Sequence, residues 1–277
     1  MIVLCEILFF TKRNMKLYGV TSVHDEEMLI PIVMPYLEKM GYDKLVIWDN
    51  NSTDRTVELL QQYEFIEIRH YSTEIFNEDE KLKHVVDTIS EFMWLPRDQD
   101  EQVWVTMCDF DEVFQLNLPS RSFVSLKDYL FWCGVNGYSV IREHLWCLME
   151  NGERVHYGEP WYWNKPNLFR LDGIDRFVVS VGQHDLSCTY WDGTEPKILY
   201  DTKILSAFHL KYYNRSIYLS RQTNRAERGF SEKHFYDTNA QLNLAEYDER
   251  LQYSVSFSDY ISNKILNGKE YVGRFLI

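Results

Sequence analysis

The chain has 277 residues, 45% hydrophobic and 26% charged, which is enough to bury a core and too apolar for a disordered polymer. Its formal net charge of −13, from 42 acidic and 29 basic side chains, excludes nucleic acid as a partner, because a polyanion would meet repulsion over most of the surface. A small phosphorylated ligand remains compatible with that charge, provided a local pocket of Arg, Lys or bound metal receives it.

The N-terminal run MIVLCEILFF is apolar but too short to span a bilayer, carries Glu6, and leads into Lys12 and Arg13 rather than a cleavage site. Residues 1–14 are set aside as an N-terminal extension, with peripheral membrane contact at most, and residues 15–277 are expected to form a single domain. KLYGVTSV (16–23) and KLVIW (44–48) have strand composition, and between them Leu29, Ile32, Val33, Tyr36 and Leu37 have helical spacing. DNNSTD (49–54) is turn chemistry. TVELLQQY then starts a helix near a Ser or Thr cap, and FIEIRHY is a short strand. Asn77 and Glu80 resemble a capping box, and Leu82, Val85, Val86, Ile89, Phe92 and Met93 continue a helix that Pro96 ends. QVWVTMC is a buried strand running straight into DFDEVF.

This alternation predicts an α/β fold, a mostly parallel central sheet with helices on both faces, and ligands at the carboxyl ends of its strands. Beyond residue 117 come shorter strands (VNGYSVI, FVVSV, KILSAFHL), the aromatic stretch WYWNKPNLF and a basic helical segment from Asn214 to Arg228. Residues 117–277 are expected to extend the same sheet and build the acceptor side. The five cysteines (Cys5, Cys108, Cys133, Cys147, Cys188) are odd in number and have no CxxC pair, which predicts reduced thiols and a cytoplasmic protein.

Three acidic clusters fall at strand ends. Asp109 and Asp111 flank Phe110, and in extended backbone such a pair points to one side, a hard-oxygen arrangement suited to Mg2+ or Mn2+. A solvated acidic turn is the competing explanation, which the position after a central apolar strand disfavours. In the 49–54 cluster, Ser52 and Thr53 are explained as turn and cap residues. Asp49 could accept from a uracil imide or a ribose hydroxyl. His24, Asp25, Glu26 and Glu27 open a helix, where acidic residues also favour the dipole.

VTSVHDEEMLI, GYDKLVIWDNNSTDRTVELL and VWVTMCDFDEVF, in that order, resemble the three motifs of family 2-like glycosyltransferases of the GT-A fold, across residues 16–116. The resemblance implies a nucleotide-sugar half there. His24, Glu26, Asp49, Asn51, Asp54 and Asp109 would bind the donor, and Asp109 with Asp111 would be the metal-binding and catalytic motif. Glu112 matches an acidic residue that often follows it. His24, Asp25 and Arg55 depart from the usual pattern. AFHLKYYNRS resembles a later His-bearing strand and basic helix, which makes His209 the candidate third metal ligand. Of Lys211, Arg215, Arg221, Arg225 and Arg228, which otherwise form a solvated helix face, Arg215 is the candidate phosphate clamp. Asp172, Asp175, His184 and Asp185 lie where an acceptor base would be sought, Asp175 and Asp185 being the leading pair, and Trp161, Tyr162 and Trp163 could stack on a sugar.

The expected activity is therefore transfer of a hexose from a nucleotide-sugar, UDP-linked, to a hydroxyl of a glycan or lipid-linked glycan in polysaccharide biosynthesis, with Mn2+ or Mg2+. Two alternatives stand beside it. One is a carbohydrate-binding or scaffold protein of the same fold without turnover. The other is a nucleotidyltransferase, which should carry a Gly-rich loop after the first strand where TSVHDEE has no glycine.

Overall fold

The structure, a computed structural model, describes residues 14–73, 77–117, 123–143, 145–157, 165–179, 186–200, 204–227 and 240–267. In chain order the first half runs β1 (Met15–Val23), α1 (Ile30–Met40), β2 (Lys44–Asn50), α2 (Thr56–Leu60), β3 (Ile66–Tyr71), α3 (Glu78–Met93) and β4 (Gln102–Met107). The chain continues through β5 (Glu112–Leu116), α4 (Leu126–Val135), β6 (Val140–Glu143), β7 (Leu145–Met149), β8 (Arg154–Tyr157), β9 (Lys165–Arg170), β10 (Ile174–Val179), β11 (Leu186–Tyr190), β12 (Ile198–Tyr200) and β13 (Leu205–His209). It ends in α5 (Arg215–Glu227), α6 (Ala240–Gln252), β14 (Val255–Ser256) and α7 (Phe257–Asn267).

The main sheet has the order β12-β6-β9-β4-β1-β2-β3. β1, β2, β3 and β4 are parallel neighbours, β12 is parallel to β6, and β9 is antiparallel to both β4 and β6. The fold is thus α/β with a mostly parallel sheet. Alternation along its strands serves two cores. Leu17, Leu45, Ile47 and Trp104 pack with α1 and α4 through Val33, Leu37, Tyr129 and Leu130. Val20, Val46, Val103 and Val105 face the other way, against Val85, Ile89 and Phe92 of α3 and the β10–β11 hairpin. Both faces are covered, which parallel strands require. Gly19 is fixed by crowding. A Cβ there would meet Leu45, Thr106 and Tyr42 at 2.7 Å, so β1 lies closer to its neighbours than any side chain would permit.

Local capping agrees with the composition. Asn77 accepts from the backbone of Asp79 and Glu80 at 3.1 and 3.2 Å, starting α3, and α1 ends on Gly41 at φ 72°. The helix after DNNSTD is shorter than TVELLQQY predicts, ending at Leu60, and neither Ser52 nor Thr53 caps it. Asp54 Oδ1 accepts from Thr56 N at 2.9 Å instead.

The second half departs from expectation. β6, β9 and β12 do extend the main sheet, but β5, β13, β7, β8 and β14 form a separate five-stranded sheet. Tyr260 of α7 packs on Trp146 and Phe208 of this sheet. α6 holds α5 through Glu246, which accepts from Tyr212 at 2.8 Å and from Tyr218 of α5. Cys108, Cys133, Cys147 and Cys188 are buried thiols not engaged in disulfides. Among the described residues no helix is long and apolar enough to cross a membrane.

Candidate functional site

β1 and β2 run parallel with Val23 opposite Asp49, so the segments that follow them leave the sheet side by side. They are laced together through backbone donors. Asp25 N donates to Ser52 Oγ at 3.0 Å, Glu26 N to Thr56 Oγ1 at 2.7 Å and Glu27 N to Asp54 Oδ2 at 3.0 Å. In return Asp25 Oδ1 accepts from Thr53 N at 2.6 Å, and Glu27 Oε2 from Arg55 N at 2.9 Å. Asp25 (φ 49°) and Asn51 (φ 58°) are held in the left-handed region, strain of the kind that collects at functional sites. Asp49 is buried, accepting from Ser52 N at 3.2 Å and pairing with His70 Nδ1 at 3.2 Å. His24 Nδ1 donates to Asn50 O at 2.8 Å.

After β4 the chain turns through Asp109–Asp111 and crosses into β5. Glu112 holds the turn, its Oε2 accepting from Asp109 N at 3.1 Å while its own N–H donates to Asp109 O at 2.9 Å. β13 runs antiparallel to β5 with His209 opposite Glu112, and Leu210 N donates to Asp111 O at 2.7 Å. His209 Nε2 thereby lies 2.9 Å from Asp111 Oδ2. The same oxygen accepts from Arg221 Nη1, and Arg221 Nη2 donates to Glu26 Oε1 at 2.9 Å. Asp111 is 1% exposed, and a carboxylate so buried is sustained only by paired cations. Burial would lower the His209 pKa, but the Asp111 carboxylate outweighs it and raises it to about 9, so the ring is an imidazolium at neutral pH.

Behind His209 the strand register aligns Cys147 of β7 and His156 of β8. Burial raises the Cys147 thiol, and the neighbouring His156 and His209 rings bring it down to about 7. Above Arg221 opens a cavity of about 230 Å³ between the loop after β1 and α5, lined by Glu26, Asp54, Ile217, Ser220 and Asn224 among others.

Asp109, Asp111 and His209 do not assemble into a three-ligand centre. Asp111 meets His209, but its shared oxygen already takes a guanidinium, and Asp109 Oδ1 accepts from the buried Lys81 Nζ at 2.6 Å. Among the described residues no group of three or more His, Cys, Asp or Glu side chains could hold a metal ion. A ligand to Mn2+ must offer a free lone pair, and the Asp111 oxygen shared by Arg221 and His209 does not. The residues present therefore do not fit a divalent ion as they stand.

The other sequence-predicted residues divide. Glu26 and Asp111 are joined through Arg221, so the site draws on both halves of the chain. Asp54 and Asp25 support the loops, and Asp49 ties off the turn that Asn51 bends. Arg215, the expected clamp, instead pairs with Asp248 on the outside of α5, and Arg221 of the same helix reaches the site. Asp172 accepts from Val103 N at the start of β4, and Asp175 follows in the same region, about 20 Å of strand away from Asp109, so neither reaches the acidic turn. Asp185, His184, Arg228 and Trp161–Trp163 lie outside the described residues, as does the Arg225 side chain. Sequence reasoning missed Lys81, although it shares the apolar stripe of α3 with Val85, Thr88, Ile89 and Phe92, where a lysine needs a partner. Cys147 and His156 left no comparable signal.

No protein-family model matches this chain, and no curated protein matches it. Among solved structures, a mannosyltransferase from Pyrobaculum calidifontis in complex with GDP-Man and Mn2+ is similar at 12% identity and TM-score 0.39, over 86% of this chain and 69% of that one. A mycobacterial protein is similar at 15% identity and TM-score 0.29, over 50% of this chain and 43% of that one. A 4-diphosphocytidyl-2C-methyl-D-erythritol synthase from Anaerococcus prevotii DSM 20548 is similar at 10% identity and TM-score 0.27, over 85% of this chain and 83% of that one. These are loose likenesses of architecture, and the chemistry of this chain is read from its own side chains.

Proposed function

We propose that this chain is a glycosyltransferase of the hexosyl type, moving a sugar from a nucleotide-sugar, UDP-linked, to a hydroxyl of a glycan or lipid-linked glycan. The observation that carries this reading is the Arg221 bridge. It joins Glu26, after β1, to Asp111, after β4, beside a cavity at the carboxyl ends of parallel strands. In the reaction the bond from the anomeric carbon to the acceptor oxygen forms as the bond to the diphosphate oxygen breaks. The hydroxyl proton goes to a base, and negative charge grows on the diphosphate. Arg221 and Lys81 are the cations that would face that charge. Residues 15–277 act as one domain in this reading, with a donor half at 16–116 that borrows Arg221 and His209 from the acceptor half.

A sugar-binding protein of the same fold without turnover is the competing reading, because Asp25, Glu27 and Asp54 are all engaged by backbone donors. Release of nucleoside diphosphate separates the two. Thermal unfolding with UDP, GDP, CMP and their sugars, with Mn2+ and with EDTA, should show one series stabilising the protein, by about 2.7 kcal/mol at a hundred times its dissociation constant. That stabilisation should weaken in Glu26→Gln. No shift from any series under either condition would sink the transferase reading.

A further inference from the structure

Both carboxylates that the sequence offers to a metal already meet a cation of the chain itself, Asp109 with Lys81 and Asp111 with Arg221, and Glu26 is paired with Arg221 as well. Arg221 makes the arrangement specific. It is 8% exposed, and its two terminal nitrogens reach carboxylates 110 and 195 residues away in sequence. A planar guanidinium can bridge two carboxylates in this way, where an ammonium acts as a point charge. Its buried Nε has no acceptor among the described residues, and Arg221 lines the cavity beside Glu26.

A divalent ion at Asp111 would have to displace this guanidinium and leave it buried without its partner, which is far costlier than breaking an exposed pair. We infer that Arg221 is the resident cation of the site and binds nucleotide phosphate without a divalent metal. The inference rests on the nucleotide-sugar reading for its ligand, while its claim about the cation position can be tested without any nucleotide.

The first probe is Mn2+ alone, titrated into the full chain and followed by electron paramagnetic resonance. The wild type should leave the free-ion signal undiminished at equimolar protein. Arg221→Gln, which uncovers Asp111 and Glu26, should gain a site that a further Asp111→Asn removes. One tightly bound Mn2+ per wild-type chain, lost in Asp111→Asn, overturns the inference, and this arm needs no variant to fold for its expected result. The second probe is calorimetry with UDP and GDP. Affinity in EDTA should stay within about threefold of that in Mn2+, and Arg221→Gln should weaken it by about tenfold or more, with Arg221→Lys in between. Loss of about tenfold or more on adding EDTA also overturns it, while leaving the transferase reading intact. If neither nucleotide binds under any condition, the transferase reading fails, and the Mn2+ titration still decides whether Arg221 holds the cation position.

Discussion

The loops after β1 and β2 and the turn after β4 look alike as sequence, since each is a short acidic run at the end of an apolar strand. Their carboxylates meet different partners. In HDEE and DNNSTD, Asp25, Glu27 and Asp54 accept from backbone N–H groups of the facing loop and of Thr56, the first residue of α2, donors that no strand or helix partner satisfies. In DFDE the chain passes directly into β5, whose backbone is satisfied by β13, so the Asp111 carboxylate is left to side-chain cations brought from α5 and β13. The first two runs therefore form a latch between loops from which only Glu26 reaches across to Arg221, while in the third Glu112 braces the turn and Asp111 enters a buried ion cluster.

The largest effect that could break this contrast is the loss of Asp111. Asp111→Ala leaves Arg221 and His209 buried with one partner fewer and should lower stability by about 3–5 kcal/mol in urea unfolding. Asp25→Ala, which removes hydrogen bonds to backbone at a partly exposed position, should cost only about 1–2 kcal/mol. Equal losses would mean that the two runs are not different in kind.

The next effect is one of pH. The His209 pKa is raised above its unfolded value, so the stability it contributes is fully present below about pH 6.5 and is lost as pH rises through about 9. Stability should fall across that window by something on the order of 2 kcal/mol, and His209→Gln should flatten the decline. An unchanged pH profile in that variant would remove the imidazolium from the cluster. The smallest effect is at α5's outer face. Arg215 and Asp248 are both about half exposed, so Arg215→Ala should change stability by less than about 0.5 kcal/mol and leave nucleotide affinity unaltered. A drop in affinity there would restore Arg215 to the site in place of Arg221.

The four parallel strands and their helices were legible because each strand alternates between two cores and α3 announces itself with Asn77. The five-stranded sheet was not. β5 and β13 pair across about ninety residues of chain, and nothing in VFQL or AFHL says which sheet they join. The acidic motifs were legible as a site, but their partners were less so. Arg215 and Arg221 lie on one basic helix, and which of them turns inward depends on how Glu246 of α6 grips Tyr218. Asp175 was a candidate base by its place along the chain alone, which does not say which end of β4 it lies near.

The row formed by Glu112, His209, Cys147 and His156 crosses four adjacent strands at matched register, so all four side chains face the same way. The proton affinities of His209 and Cys147 are coupled through that alignment, as their opposed displacements indicate. A slip of one residue in β13 would turn His209 to the opposite face, away from both Asp111 and Cys147 at once. The charge state beneath Asp111 is thus a collective property of strand pairing, and an insertion or deletion in β13 would alter it as thoroughly as replacing the histidine.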